Sequence, residues 1–413
     1  MNKSSKTILK QLLNLIDWKN FNRIISDSQS DKYSKKLRTK EHFITLFYAV
    51  LKGYDSLREI VLGMNAEANM FKQLDFQRIP ARSTLADANK NRSCETFRKI
   101  YFQLYQQYKP ILSDSRNKEW EKYLKIIDST TFTLFSNILK GAGRNPKHGK
   151  KKGGMKAHCV INWLEQVPCF LHYTSAATHD SVVLKDVNLS KKDILAMDRA
   201  YIDYELFEKF TNKGIIYITK LKKNLNYEIL DQKYIVNTEG KVTYKICTVL
   251  FKDKKVIHKA RLITYWRNDR HCKTATLITN DFEMEHQEIV DIYDHRWQIE
   301  LMFKQLKQNF QLRYFYGDSV NAIKIQVWMM MIVNLLMMVV KKTIKKQKNI
   351  DLCFSNMITI TRHMLSYYID LKKLLINPEN AFAEDFHDGC ALVKQNGKYH
   401  YININGKRNF TCN

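Results

Sequence analysis

Acidic residues are scarce in this 413-residue chain: 41 Asp and Glu stand against 68 Lys and Arg, a formal net charge of +27. A folded chain with that imbalance points to a polyanionic partner, nucleic acid first and an anionic membrane surface second. Glycine (13) and proline (5) are also few, which excludes collagen-like and low-complexity material. Apolar residues at 45% and aromatics at 12% exclude a disordered basic tail. The length is that of about two or three domains. No two of Cys94, Cys159, Cys169, Cys247, Cys272, Cys353, Cys390 and Cys412 lie within four residues of each other. Zinc-knuckle and CxxC spacings are therefore missing, and reduced thiols in a cytosolic protein are expected. Met1 to Lys6 lacks the apolar stretch of a signal peptide. The run Ile325 to Val340 is membrane-like in composition, but its 16 residues include Gln326 and Asn334. It falls short of a span of about 20 apolar residues, so a buried core helix is expected.

What is present begins with helical periodicity over residues 1 to about 115. Ile8, Leu12, Leu15 and Ile16 share one face, as do Phe43, Leu46, Phe47, Val50 and Leu51 up to Gly53. Ser56 is placed to cap a helix through Met64, Pro80 to Thr84 opens a short helix, and Phe97 to Tyr108 forms another. Short helices with basic ends suit a DNA-binding module, because Arg and Lys there reach phosphates. No helix-turn-helix signature is visible, and a solvated basic domain that only shields a partner surface fits the same pattern.

From Lys122 the pattern turns to strands. Tyr123 to Ile127 is an apolar run ending at Asp128, and a basic loop from Gly141 to Lys156 leads to the strands Ala157–Trp163 and Val167–Tyr173. A helix is expected from His179 to about Ser190. A strand over Ile194–Met197 then ends at Asp198, followed by a helix over Tyr204–Phe210 and a strand over Ile215–Thr219. That order opens as an antiparallel meander and continues as βαβ crossovers, an α/β sheet. Residues 222–284 read as a β-rich insertion broken by turn clusters, and the helical pattern returns over 285–346. The expected organisation is a helical region 1–115, an α/β core in two parts (116–221 and 285–346) around the insertion 222–284, and a C-terminal region 347–413. In the last, one helix from Cys353 to Leu375 precedes a polar tail.

Tyr293, Arg296, Glu300 and Lys307 follow one another at +3, +4 and +7, which on a single helix places them within about 60°. Ile299, Met302, Phe303 and Leu306 flank that stripe and would seat the helix on the sheet. Trp297 turns away from Glu300 and is expected in the core. An ordinary salt-bridged face has the same spacing. Asp128 and Asp198 alter the chemistry, since both sit just past strand C-termini, where an α/β sheet places its reactive loops. Three hard oxygen donors from separate elements can hold two divalent ions about 3.5–4 Å apart, an arrangement suited to displacement at phosphorus. Mg²⁺ fits such donors, and no His/Cys cluster competes for another metal. Taken singly, Asp128 reads equally as a turn residue and Asp198 as a helix cap.

The Y-x2-R-x3-E-x6-K stripe, with "IIDSTTF" around Asp128, "AMDRAY" around Asp198 and "THDS" at 178–181, resembles the DDE transposases of the bacterial insertion-sequence-four family over most of the chain. The resemblance implies a ribonuclease-H-like core interrupted by a β-rich insertion, with a helical N-terminal DNA-binding domain. It implies that Asp128, Asp198 and Glu300 are catalytic and bind two Mg²⁺ ions, for which Mn²⁺ can substitute. Tyr293, Arg296 and Lys307 would contact transposon-end phosphates. The implied reaction is cut-and-paste transposition: hydrolysis at the element's end, attack of the freed 3′-OH on the opposite strand to give a hairpin, reopening of the hairpin, and joining of the 3′-OH to target DNA. The implied partner is double-stranded DNA, both terminal inverted repeats and target, held by a homodimer on paired ends in the bacterial cytoplasm and nucleoid, with no membrane.

Family members stack a flipped base on an aromatic of the insertion, and Trp266 in "ITYWRND", beside Arg267 and Arg270, is the candidate here. A tryptophan packed at a strand end is the alternative. Lys150, Lys151 and Lys152 suit a loop that clamps the DNA backbone, or one that is merely solvated. His179 and Asp180, on the loop after the third strand and facing the same sheet end, can support the carboxylates there, while Asp180 reads equally as a cap of the following helix. The competing functional readings are a catalytically inactive DNA-binding repressor derived from a transposase, a membrane-surface protein, and a structure-specific nuclease.

Overall fold

The computed structural model of the chain describes residues 6–113, 118–133, 154–222, 225–253, 256–266, 274–310, 314–376, 390–395, 398–403 and 408–411. Lys150, Lys151, Lys152, Arg267 and Arg270 lie outside the described residues. Side-chain caps start the first helices. Thr7 opens α1 (Ile8–Leu13), and Asp17 accepts from the N–H groups of Lys19 and Asn20 at the head of α2 (Trp18–Asp27). The expected helix up to Gly53 is α3 (Thr39–Lys52), closed by that glycine at φ 72°, where other residues are strained. Ser56 accepts from Glu59 N at 3.2 Å and opens α4 (Leu57–Ala66) as expected. α5 (Ala68–Lys72), α6 (Arg82–Asn91) and α7 (Cys94–Leu112) follow, the last longer than the periodicity suggested.

The strands are β1 (Leu124–Thr133), β2 (Gly154–Asn162), β3 (Pro168–Ser175), β4 (Ile194–Met197) and, after α8 (Tyr204–Asn212), β5 (Ile216–Lys220). Next come β6 (Glu228–Val236), β7 (Val242–Asp253), β8 (Val256–Trp266) and β9 (Thr274–Thr279). All nine form one sheet in the order β3-β2-β1-β4-β5-β9-β8-β7-β6. β1, β2 and β3 are an antiparallel meander, while β1, β4 and β5 run parallel, as the strand and helix order requires. Residues 222–284 do not build a separate layer. β9 pairs antiparallel with β5, so the inserted strands continue the core sheet. His258 of β8 is fully buried between the Tyr217 hydroxyl (2.6 Å) and the Glu208 carboxylate (2.8 Å), which ties the insertion to β5 and α8.

α9 (His286–Asp294), α10 (Trp297–Asn309), α11 (Val320–Lys348), α12 (Phe354–His363) and α13 (Leu371–Ile376) follow, then a three-stranded sheet of β10 (Cys390–Gln395), β11 (Lys398–Asn403) and β12 (Arg408–Thr411). The single helix expected over Cys353–Leu375 is two. The carbonyls of Leu365 and Tyr367 between them accept from Leu9 N and Ile8 N, free donors at the start of α1, and so are not available to continue a helix.

The chain divides into two units, Ser113–Lys304 and Met1–Leu112 with Gln305–Asn413. In the first of these, apolar side chains of the sheet and of α8, among them Ile127, Leu195, Phe207, Tyr217 and Leu262, form one core. The second is built around α11. That helix is long and apolar enough to cross a membrane, yet 94% of its most apolar window is buried among the other helices. The core-helix reading of Ile325–Val340 therefore holds. Two of its polar residues are bonded for a purpose, and the first is Gln326, which accepts from Tyr316 N and donates to the Tyr314 carbonyl. Asn321 donates to the carbonyls of Asn89 (3.0 Å) and Arg92 (2.7 Å) and accepts from Cys94 N (3.1 Å), closing the α6–α7 junction. Replacing Asn321 with Ala strands those backbone groups and is expected to cost about 1–3 kcal/mol, read as a drop of several degrees in Tm.

Candidate active site

Two apolar runs that each end in aspartate place the first two carboxylates. Leu124 to Ile127 pair in parallel register with Ile194 to Met197, Ile127 opposite Met197, and these eight side chains are buried except for the tip of Lys125. The next residue on each strand is Asp128 or Asp198, so the carboxylates leave the sheet side by side at its carboxyl edge. β4 stops there: Asp198 Oδ1 accepts from Arg199 N at 2.7 Å and caps a 3₁₀ turn, Arg199–Tyr201. β1 continues, and Asp128 Oδ1 accepts from Ser129 N at 2.7 Å.

The stripe expected on one helix is divided between two. α9 carries Tyr293 and ends at Asp294, and α10 begins at Trp297. Between them the backbone tightens: Arg296 N donates to Tyr293 O and Gln298 N to His295 O, both three residues back. The His295 ring lies 4.1 Å from that of Trp163, a contact that holds the break in place. Ile299, Met302, Phe303 and Leu306 are buried as expected. Trp297 is not in the core. It is 51% exposed, and its ring lies 5.1 Å from the Arg296 guanidinium.

Arg296 is itself buried and joins the carboxylates. Its Nη1 donates to Glu300 Oε1 at 2.6 Å and stands 3.8 Å from Asp128 Oδ2. The guanidinium also lies over the Tyr293 ring at 5.8 Å, and its Nε has no hydrogen-bond partner among the described residues. The structure thus gathers Asp128, Asp198, Tyr293, Arg296 and Glu300. Lys307 is exposed two turns further along α10, and Trp266 is 47% exposed at the last residue of β8. Burial pushes the Asp128 carboxyl up to about 6; the Ser129 N–H and Arg296 oppose this, and the charges of Glu300 and Asp198 add to it.

Among the described residues no three His, Cys, Asp or Glu side chains already stand as a metal cage. The donor chemistry nonetheless fits a hard divalent cation: three carboxylates converge, and the one positive group between them is an arginine whose Nε is left unpaired.

Sequence reasoning weighed a supporting role for Asp180 but missed its partner and the face of β1 on which they meet. Lys156, read as part of a basic loop, is a buried residue of β2 paired with Asp180 at 2.9 Å. The helix expected after His179 is a 3₁₀ segment, Asp180–Asp186, and His179 rather than Asp180 caps it. A lysine two residues before a histidine on an otherwise apolar strand was the available signal.

The raised Asp128 carboxyl sets a pH dependence. Because its folded value exceeds the unfolded one, protonation favours folding below about pH 4, and that gain is lost as pH rises through about 6. Asp128→Asn is therefore expected to stabilise the metal-free protein at pH 7.5 by on the order of 2 kcal/mol, with the gain shrinking towards pH 4.5. Thermal unfolding in chelator across that range measures it.

The chain matches the family model described as Transposase DDE domain over residues 119–336, more than half of its length and inclusive of all three carboxylates. Residues 4–77 match a second family, described as Domain of unknown function (DUF4372). A Sinorhizobium fredii protein named as transposase y4zB is 28% identical over 258 residues, 61% of this chain and 69% of that protein. A Geobacillus stearothermophilus protein, named as the transposase for insertion sequence element IS5377, is 26% identical over 58% of this chain and 62% of its own length. One from Synechocystis, named for insertion sequence element IS4SA, is 25% identical over 65% and 75%. The solved synaptic complex of piggyBac transposase with hairpin DNA is 12% identical at a TM-score of 0.43, over 86% of this chain and 77% of that one. The chain belongs to the transposase DDE domain family and, within it, to the insertion-sequence-four kind.

Proposed function

We propose that this chain catalyses cut-and-paste movement of an insertion sequence: it binds the element's terminal inverted repeats, cuts the ends and joins them to target DNA. The observation that carries this reading is the convergence of Asp128 and Asp198, from adjacent parallel strands, with Glu300 of α10 around one arginine. The order β3-β2-β1-β4-β5, antiparallel and then parallel, supports a ribonuclease-H-like core. The helices within residues 1–115 are assigned to DNA binding, as are Trp266 and Lys150, Lys151 and Lys152. The working form is a homodimer on paired ends, in the bacterial cytoplasm and nucleoid.

Asp128, Asp198 and Glu300 would hold the divalent cations, two Mg²⁺ with Mn²⁺ as substitute, which when bound polarise the phosphodiester and stabilise the departing oxygen. In cleavage a water oxygen bonds to phosphorus as the P–O3′ bond opens, leaving a 3′-OH and a 5′-phosphate. In joining, that 3′-OH displaces a 3′ oxygen of the target, so one phosphodiester forms as another breaks. A hairpin is the same displacement made on the opposite strand, and a second water then opens that phosphodiester at its P–O3′ bond to free the 3′-OH before joining. Arg296 balances the carboxylates in the free chain, its Nε–H buried without a partner among the described residues, and is assigned to a DNA phosphate. Tyr293 and Lys307 are assigned to neighbouring phosphates. The +27 charge supplies the long-range attraction.

Purified protein with a short duplex carrying the inverted repeat that flanks its gene is expected to show Mg²⁺-dependent cleavage and joining. Glu300→Gln should bind the same duplex within about threefold of wild type and yield neither product, since it loses one charged donor and little volume. If wild type and variant both bind and neither reacts even with Mn²⁺, the repressor reading replaces this one. The affinity itself should fall steeply with salt, with a log–log slope near −0.9 per phosphate neutralised. A flat titration would remove DNA as the partner of the basic surface.

A further inference from the structure

The reverse face of β1 carries a polar cluster that the proposed chemistry does not use. Ser129 pairs across the strands with His158 and Asp128 with Cys159, so Ser129 and Asp128 point to opposite faces of the sheet. Behind the sheet, Asp180 Oδ1 accepts from Ser129 Oγ at 3.2 Å and from Lys156 Nζ at 2.9 Å. Lys156 donates also to the Thr178 carbonyl at 3.0 Å, and its side chain is only 4% exposed. His158, fully buried, stands 3.7 Å from the same Asp180 oxygen. One of its ring nitrogens meets the Thr174 hydroxyl at 2.8 Å and the other the Tyr201 hydroxyl at 3.3 Å.

Two ends of this cluster reach the candidate carboxylates through the backbone. Ser129 is the residue after Asp128, and its N–H holds the Asp128 carboxylate. Tyr201 closes the 3₁₀ turn that Asp198 caps and is 1% exposed. A single half-buried carboxylate, Asp180, is therefore bonded to the segment that presents Asp128 and, by way of His158, stands next to the turn that presents Asp198. A buried ion pair adds little net stability, because desolvation consumes most of the attraction; an apolar pair of similar volume would serve a core as well. What the pair supplies is direction, since hydrogen bonds hold angles that apolar contacts leave free.

We infer that Asp180 and Lys156 are positioning residues: with Ser129, His158 and Tyr201 they fix the separation of the two strand-end aspartates from the face opposite the site. This rests on the reading that Asp128, Asp198 and Glu300 hold divalent cations, and it assigns Asp180 no contact with cation or DNA. Removing such a support should loosen the cation site in the manner of an outer-shell partner, by about 10–100-fold in affinity or rate.

The test measures Mn²⁺ binding to the DNA-free full chain by electron paramagnetic resonance, thermal unfolding, and kcat and KM for end cleavage. The variants are Asp180→Asn, the double replacement Asp180→Leu with Lys156→Met, and the milder Ser129→Ala. The double replacement removes both charges and is expected to keep a Tm near wild type, yet to bind Mn²⁺ at least tenfold more weakly and to lose kcat with KM little changed. Ser129→Ala, which deletes one hydroxyl and should fold in any case, is expected to weaken Mn²⁺ binding severalfold. If the double replacement folds, or Ser129→Ala alone folds, with Mn²⁺ affinity and kcat within twofold of wild type, the positioning role is overturned and the pair only fills the core. If wild type itself binds no Mn²⁺ and Glu300→Gln is indistinguishable from it, the cation reading has failed instead.

Discussion

The parallel register of β1 and β4 is the constraint on which the site depends. Two carboxylates repel and favour water, so they stand together only where the backbone beneath them cannot move apart. Four paired residues on each strand, all buried and apolar except Lys125 on β1, are hydrogen-bonded to one another, flanked by β2 and β5, and supply that rigidity. Burial above all, with a smaller addition from the Glu300 and Asp198 charges, pushes the Asp128 carboxyl up to about 6. A site arranged this way stores a need for positive charge, which among the described residues is met at the carboxylates by the Arg296 guanidinium.

That guanidinium reaches the carboxylates because the helical segment breaks where it does. In one unbroken α-helix, Arg296 and Glu300 would simply be neighbours a turn apart. The tightened residues His295 and Arg296 start α10 afresh, with Arg296 just before its first turn, buried against Tyr293 and within reach of Asp128 on the sheet. The same break leaves Trp297 at the head of α10 and exposed, where the continuous periodicity had placed it inside. An exposed indole stacked on an arginine beside three carboxylates presents a flat apolar face at the mouth of the site.

Much of this was legible in the residues. Apolar runs ending in aspartate, Ser56 and Gly53 as helix punctuation, and the all-apolar α11 are local signals, written in adjacent positions and read with period and capping rules. Three things were not legible, each for a physical reason. The break at His295 coincides with a ring contact to Trp163, which is distant in sequence and invisible to local rules. The continuation of the core sheet by residues 222–284 depends on which free edge β9 finds, and its own alternation is silent on that. Lys156 looked like its neighbours in a basic run, because charge in sequence does not reveal that a strand carries one lysine inside to meet a carboxylate.

The last of these bears on how a basic protein can keep an acidic site intact. With 68 cationic side chains available, the carboxylates at the sheet edge could be claimed by any flexible lysine nearby, and a claimed carboxylate is a poor cation ligand. The fold instead commits particular cations to particular partners. Lys125 is spent on Asp193 at 2.5 Å, Lys156 on Asp180, and Arg296 on Glu300. All three cations lie on the elements that frame the site, and each is held by hydrogen bonds that fix its geometry. Among these groups only Arg296 points at the carboxylates themselves, and only it retains an unpaired donor. Among the described residues the surrounding pairs therefore leave Arg296 as the cation set against these carboxylates, and its contacts with Glu300 and Asp128 are the ones a competing cation has to displace.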